Sequence, residues 1–100
     1  MPKELGEIRR ILKKEKPYLS EQYWVKELGV FGSFVRGEES DGSDLDILVE
    51  FEKPLRLDLI GFIELENYLS DLLDIRADLV MKEDLKPRIG ERILAEVVPV

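Results

Sequence analysis

The stretch from Gly32 to Asp46, GSFVRGEESDGSDLD, decides what kind of molecule this chain makes. Its end opens a strand: from Asp44 to Phe51, Leu45, Ile47, Val49 and Phe51 alternate with Asp44, Asp46, Leu48 and Glu50. Alternation with a period of two marks a half-buried strand. The apolar set anchors in a core, while Asp44 and Asp46 project together from the opposite face. Two carboxylates so placed repel each other unless a cation lies between them, and oxygen ligands of this kind suit a hard cation such as Mg²⁺. At the other end of the stretch, Gly32-Ser33 follows an apolar run and precedes a short helical turn over Phe34 to Gly37. Glycine permits close backbone approach, the N–H groups that open a turn point outward, and the Ser33 hydroxyl adds a donor. Such a turn can hold the tail phosphates of a nucleotide. Glu38 to Ser43 between them is a polar, turn-rich loop.

Upstream, Trp24 to Phe31 predicts a strand, with Leu28 and Val30 on one side and Val25 and Phe31 on the other. Before it, Leu5, Ile8, Ile11 and Leu12 recur at helical spacing from Lys3 to about Lys16, where Pro17 is expected to end the helix. Downstream, Pro54 opens a connection into a long helix, roughly Leu57 to Leu73, apolar at Leu59, Phe62, Ile63, Leu69, Leu72 and Leu73. Ile75 to Met81 is a third strand, and Pro87 to about Val98 a last helix with proline in its first turn. No repeat, low-complexity stretch or linker interrupts this order. It predicts an α+β (α/β-like) fold, a small sheet with helices packed on one face, as a single domain over residues 1–100. If the third strand lies beside the second, Asp78 joins Asp44 and Asp46 in a cluster of three carboxylates.

Composition narrows the chemistry. The chain has 100 residues, no cysteine and no histidine, so thiol catalysis, Ser-His-Asp hydrolysis and histidine-bound metal are excluded. Any catalysis must rest on carboxylates, hydroxyls, Lys and Arg. A net charge of -7 argues against direct nucleic-acid binding, which needs a basic surface. The basic residues cluster in Met1 to Lys16, which is expected to be a solvated helix face. No window approaches the roughly 20 consecutive apolar residues of a membrane span, and Met1 to Lys16 lacks the apolar core of a secretory signal. A cytoplasmic location is the expectation.

Three carboxylates around Mg²⁺, beside a Gly-Ser turn able to hold phosphates, suit two-metal nucleotidyl transfer. One metal would lower the pKa of an attacking hydroxyl and the other would hold the triphosphate. The third carboxylate would bridge to the first metal or accept the hydroxyl's proton. Taken singly, each part has a blander account. A D-x-D among eight aspartates is often a solvated strand start, a Gly-Ser is usually a turn, and Asp78 could pair with Arg76 or Arg36. Their joint placement on strand, turn, strand and later strand outweighs those accounts.

The spacing G-S-x10-D-x-D, carried by Gly32, Ser33, Asp44 and Asp46, resembles the motif of the polymerase-beta-like nucleotidyltransferase superfamily. With ADLV around Asp78 and the ending ILAEVVPV, nearly the whole chain is similar to the minimal nucleotidyltransferase (MNT) family. The resemblance implies a stand-alone catalytic palm with a small mixed sheet. It implies ATP as substrate and Mg²⁺, two ions, as cofactor. Gly32 and Ser33 would contact the ATP phosphates, and Asp44, Asp46 and Asp78 would be the catalytic, metal-holding residues. Arg36 would either help with the triphosphate or form a structural ion pair. The family's usual partner is a HEPN-domain RNase toxin in a hetero-oligomer, and the better-understood members are antitoxins that move AMP from ATP onto a tyrosine of that toxin.

Length also favours a partner. Orienting an acceptor hydroxyl in line with the α-phosphate needs a surface, and a palm of 100 residues has little to spare. The Leu57 to Leu73 helix, with Leu55, Leu65 and Tyr68, carries more apolar residues than one buried stripe requires. The surplus either marks an interface or fills the core. Two other functions compete with protein adenylylation: nucleotidyl transfer to a small molecule, and an antitoxin that acts by occlusion without catalysis. A chain this short is not expected to carry the extra domain that would enclose a small substrate, which ranks that function lower. Occlusion leaves an intact carboxylate trio, costly to cluster, without a purpose.

Overall fold

The computed structural model describes residues 4–100. Leu5–Tyr23 form α1, Val25–Phe31 β1, Ser33–Arg36 α2, Leu45–Phe51 β2, Leu59–Leu73 α3, Ala77–Met81 β3, Pro87–Glu96 α4 and Val98–Pro99 β4, with a 3₁₀ turn at Lys82–Asp84. The four strands make one mixed sheet in the order β3-β2-β1-β4. β2 runs antiparallel to β1 and parallel to β3, and β4 pairs antiparallel with β1. This is the small mixed α+β sheet that the sequence predicts.

The core lies between the sheet and the two long helices. Leu45, Ile47, Val49 and Phe51 from β2 meet Ile8, Leu12 and Leu19 of α1 and Leu65, Leu69 and Leu73 of α3, all buried. The alternation along β2 therefore reports the face it was expected to report. At roughly 1.5 to 3 kcal/mol per fully buried aliphatic side chain, this layer fixes the strand and with it the opposite face that carries the aspartates. Asp58 caps α3, its carboxylate accepting the Gly61 N–H at 2.8 Å. Among the described residues no helix is long and apolar enough to cross a membrane.

Several boundaries differ from the sequence expectation, each for a physical reason. Pro17 does not end α1 but sits inside it. An interior proline costs a helix about 3 kcal/mol. Pro17 is exposed, and the extra turns bury Leu19 and bring Tyr18 and Tyr23 against Tyr68 of α3. The expected start at Lys3 lies outside the described residues. Val25 was expected opposite Leu28 and Val30, yet all three share the core, because a bulge between Val25 and Glu27 shifts the register of β1. The last helix stops at Glu96 rather than near Val98, because Val98 and Pro99 leave it to pair with Val30 and Gly29. On α3, Leu65, Leu69 and Leu73 fill the core, whereas Leu59, Ile60 and Ile63, with Leu55 before the helix, remain exposed. The apolar surplus thus divides between core and surface.

Candidate active site

Asp46 and Asp78 lie at one end of the sheet, on the face turned away from the core, with Gly32 beside them. Asp46 of β2 stands in register with Asp78 of β3 on one side and Phe31 of β1 on the other. Parallel register puts both aspartates on one face about 4.8 Å apart along the hydrogen-bonding direction. Their neighbours Leu45, Ile47, Ala77 and Leu79 are buried on the reverse side. Asp44 precedes β2 by one residue and is exposed, as Asp78 is, while Asp46 is partly buried. A hydrogen bond from Leu45 N–H to the Arg76 carbonyl, 2.8 Å, ties the start of β2 to β3 and so holds the two aspartate-bearing segments together. Burial, then the charges of Asp78 and Asp44, push the Asp46 carboxyl above its ordinary value.

Gly32 follows Phe31 directly and has φ 84° and ψ -153°, a backbone conformation open in practice only to glycine. A Cβ there would overlap the Oδ2 of Asp46, so the missing side chain also makes room for the carboxylate. The turn closes through Val35 and Arg36 N–H groups on the Gly32 carbonyl, at 3.0 and 3.2 Å. As at any helix start, the first N–H groups of α2 find no carbonyl within the helix. Ser33 opens that turn and is partly exposed. Gly32, Ser33, Asp46 and Asp78 are thus brought together, with Asp44 at the rim.

Arg36 is paired. Its Nε donates to Glu38 and its Nη1 to Glu96, both at 2.7 Å. Glu96 also accepts the Gly32 N–H at 2.8 Å. Arg36, then the Gly32 N–H, hold the Glu96 carboxyl below its usual range. Nothing in the sequence pattern pointed to Glu96. It stands 64 positions from Gly32, at the end of a helix expected to run on past it. A cleft of about 280 Å³ lies among Phe31, Gly32, Arg36, Asp46, Ile93 and Glu96. A second, of about 550 Å³, opens beyond Asp44 toward Ser40, Asp41 and Arg76.

Among the described residues, no three acidic side chains close around one point at ligand distance. That is compatible with Mg²⁺, which keeps several waters and is commonly held by one or two carboxylates together with substrate phosphates rather than by a protein cage. The donors are hard oxygens, and part of what raises the Asp46 carboxyl, after burial, is the charge of Asp78 and Asp44, which a cation would offset. The residues present therefore fit the ion.

Residues 5–100 match the model of the family described as nucleotidyltransferase domain. The chain belongs to that family. Among its relatives is the protein adenylyltransferase MntA of Thermococcus cleftensis, 53% identical over 94 residues, which are 94% of this chain and 93% of the relative. A solved structure described provisionally as a minimal nucleotidyltransferase superposes with a TM-score of 0.78 at 34% identity, covering 98% of this chain and 97% of the other. A tri-AMPylated HEPN toxin in complex with MNT antitoxin, from Shewanella oneidensis, contains a chain of the same fold. There the TM-score is 0.58 at 22% identity, over 94% of this chain and 66% of that one. The minimal nucleotidyltransferase architecture expected from the resemblance of nearly the whole chain is therefore the one this nucleotidyltransferase adopts.

Proposed function

We propose that this nucleotidyltransferase is a Mg²⁺-dependent protein adenylyltransferase that moves AMP from ATP onto a tyrosine of a HEPN-domain toxin and so silences it. The observation that carries the reading is the register pair Asp46–Asp78, with Gly32 against Asp46 and Asp44 one residue before β2. The adenylyltransferase name of a relative at 53% identity supports the nucleotide and the protein acceptor. The HEPN partner follows the family resemblance and the toxin–antitoxin complex that shares this fold.

In this reading the Ser33 hydroxyl and the N–H groups opening α2 receive the β- and γ-phosphates, and Arg36 adds a fixed cation beside them. Asp44, Asp46 and Asp78 would hold Mg²⁺, which when bound neutralises the triphosphate and lowers the pKa of the attacking hydroxyl. The phenolic oxygen of the acceptor forms a bond to the α-phosphorus. The bond from that phosphorus to the oxygen bridging it to the β-phosphate breaks, and diphosphate leaves. The phenolic proton passes to a carboxylate, for which Asp78 stands exposed on the strand beside Asp46. The core under these residues keeps Asp46 and Asp78 from moving apart, so positioning is supplied before substrate arrives.

The test is D44N/D46N, which keeps side-chain size and removes two negative charges from the site. Wild type and variant are each co-expressed with the HEPN partner, which is then weighed by mass spectrometry while growth is scored. Only wild type should add adenylate and rescue growth, with transfer by the variant lower by at least about 100-fold. A variant that protects the cell equally well, with no mass added in either case, would establish occlusion instead.

A further inference from the structure

Glu96 is a charged group of the site that the reaction above leaves without a task. Its two carboxylate oxygens are divided between two donors: Oε2 takes the Gly32 N–H at 2.8 Å and Oε1 takes Arg36 Nη1 at 2.7 Å. Its side chain is 23% exposed, against 50% for Arg36, so the carboxylate is the more enclosed partner. We infer that Glu96 is a positioning residue, a clamp by which the C-terminal segment sets the geometry of the triphosphate-binding turn. This inference rests on the nucleotide reading of Gly32, Ser33 and Arg36.

Three features of the fold support it. First, Gly32 holds a backbone conformation that only glycine adopts without strain, and its N–H has Glu96 as acceptor, so the clamp holds the start of the turn directly. Second, a guanidinium carries five N–H donors in a rigid plane. Glu38 and Glu96 occupy one each, on Nε and Nη1, which fixes the plane and leaves three donors for an anion in the cleft. Third, Glu96 is itself anchored. The next residues form β4, where Val98 pairs with Val30 and Pro99 with Gly29, and the Val100 N–H bonds to the Leu28 carbonyl at 3.0 Å. Val97 packs where a side chain on Gly29 would stand. The short terminal strand thus has a purpose beyond sheet closure: it delivers one carboxylate to the start of α2.

The clamp acts on the groups that would face the β- and γ-phosphates and not on the nucleoside. The full-length chain is therefore titrated calorimetrically with ATP and, separately, with AMP, both with Mg²⁺ present, for wild type, E96A and E96Q. E96A should bind ATP about 10-fold more weakly while AMP affinity stays within about twofold of wild type. E96Q keeps one acceptor oxygen and should recover part of the loss. Should E96A fail to fold, E96Q alone carries the test, with about threefold weaker ATP binding and unchanged AMP binding expected. Equal or tighter ATP binding by folded E96A or E96Q overturns the inference; so does a loss shared equally by ATP and AMP. A wild-type chain that binds no ATP at all overturns the nucleotide reading, and the clamp with it, whereas wild-type binding with an indifferent variant overturns the clamp alone.

Discussion

Replacing Gly32 by alanine tests the geometry of the site through stability, without needing a substrate. The new methyl group would meet two separate penalties. Gly32 has φ 84° and ψ -153°, where an alanine pays about 1 to 3 kcal/mol in backbone strain. Its Cβ would also overlap Asp46 Oδ2 and lie 3.0 Å from Asp46 Cγ and 3.3 Å from Asp46 Cβ. Relieving that overlap turns the carboxylate off its rotamer, at about 0.5 to 1.5 kcal/mol. The sum is about 1.5 to 4.5 kcal/mol, which at about 4 to 8 °C per kcal/mol in a domain of this size lowers Tm by roughly 6 to 36 °C. G37A is the internal control. Gly37 has φ 72° and nothing within 4 Å of its would-be Cβ, so only the left-handed backbone cost of about 1 kcal/mol applies. The assay is thermal and urea unfolding of G32A, G37A, D46A and G32A/D46A. In the D46A background the alanine at position 32 should cost about 1 kcal/mol less, because the carboxylate it strikes is gone. A G32A chain as stable as wild type, or more stable than G37A, refutes the reasoning.

Two further perturbations probe the helical layer. P17A should stabilise the chain by about 2 kcal/mol, since it restores an N–H inside α1 at an exposed position, less the unfolded-state entropy that proline removes; a lower urea midpoint would show that the ring is needed there. Tyr68 donates to Glu15, and this hydrogen bond, then burial, push its phenol up to about 12. The folded chain therefore holds a proton that the unfolded chain releases near pH 10, so this contribution is complete below pH 10 and lost as pH rises through about 12. Y68F should unfold with a flatter pH dependence across that window, and an unchanged slope would assign the alkaline loss to other groups.

What the sequence discloses and what it withholds follow the reach of each interaction. The alternation of β2 extends over Leu45–Phe51, long enough for period and face to be read locally, and Asp44 and Asp46 inherit their placement from it. Asp78 could be assigned to a strand, but its register opposite Asp46 depends on β3 lying parallel beside β2, which no local pattern states. Local rules fail where a distant contact outweighs them. Pro17 marks a helix end until Leu19 and the tyrosines supply packing on its far side. Val25 alternates onto the wrong face until the bulge is known. β4 is two residues long and contains a proline, so it has no strand signal of its own and exists because β1 offers it an edge.

Glu96 is the extreme case, a carboxylate at the end of an amphipathic helix whose partners lie 60 and 64 positions away. Such a residue is indistinguishable by pattern from a solvated glutamate. Gly32 is its opposite. Four elements impose three separate demands on that one position: β1 and α2 require a positive φ between them, β2 sets the Asp46 carboxylate against the absent side chain, and α4 sends a carboxylate to its N–H. Glycine alone satisfies the first two. Its place directly after an apolar strand was readable in one dimension because the constraints on it are tertiary but their solution is a single residue type. The converse holds for Glu96, whose position is set by the docking of β4 while a glutamate is acceptable almost anywhere on a surface helix.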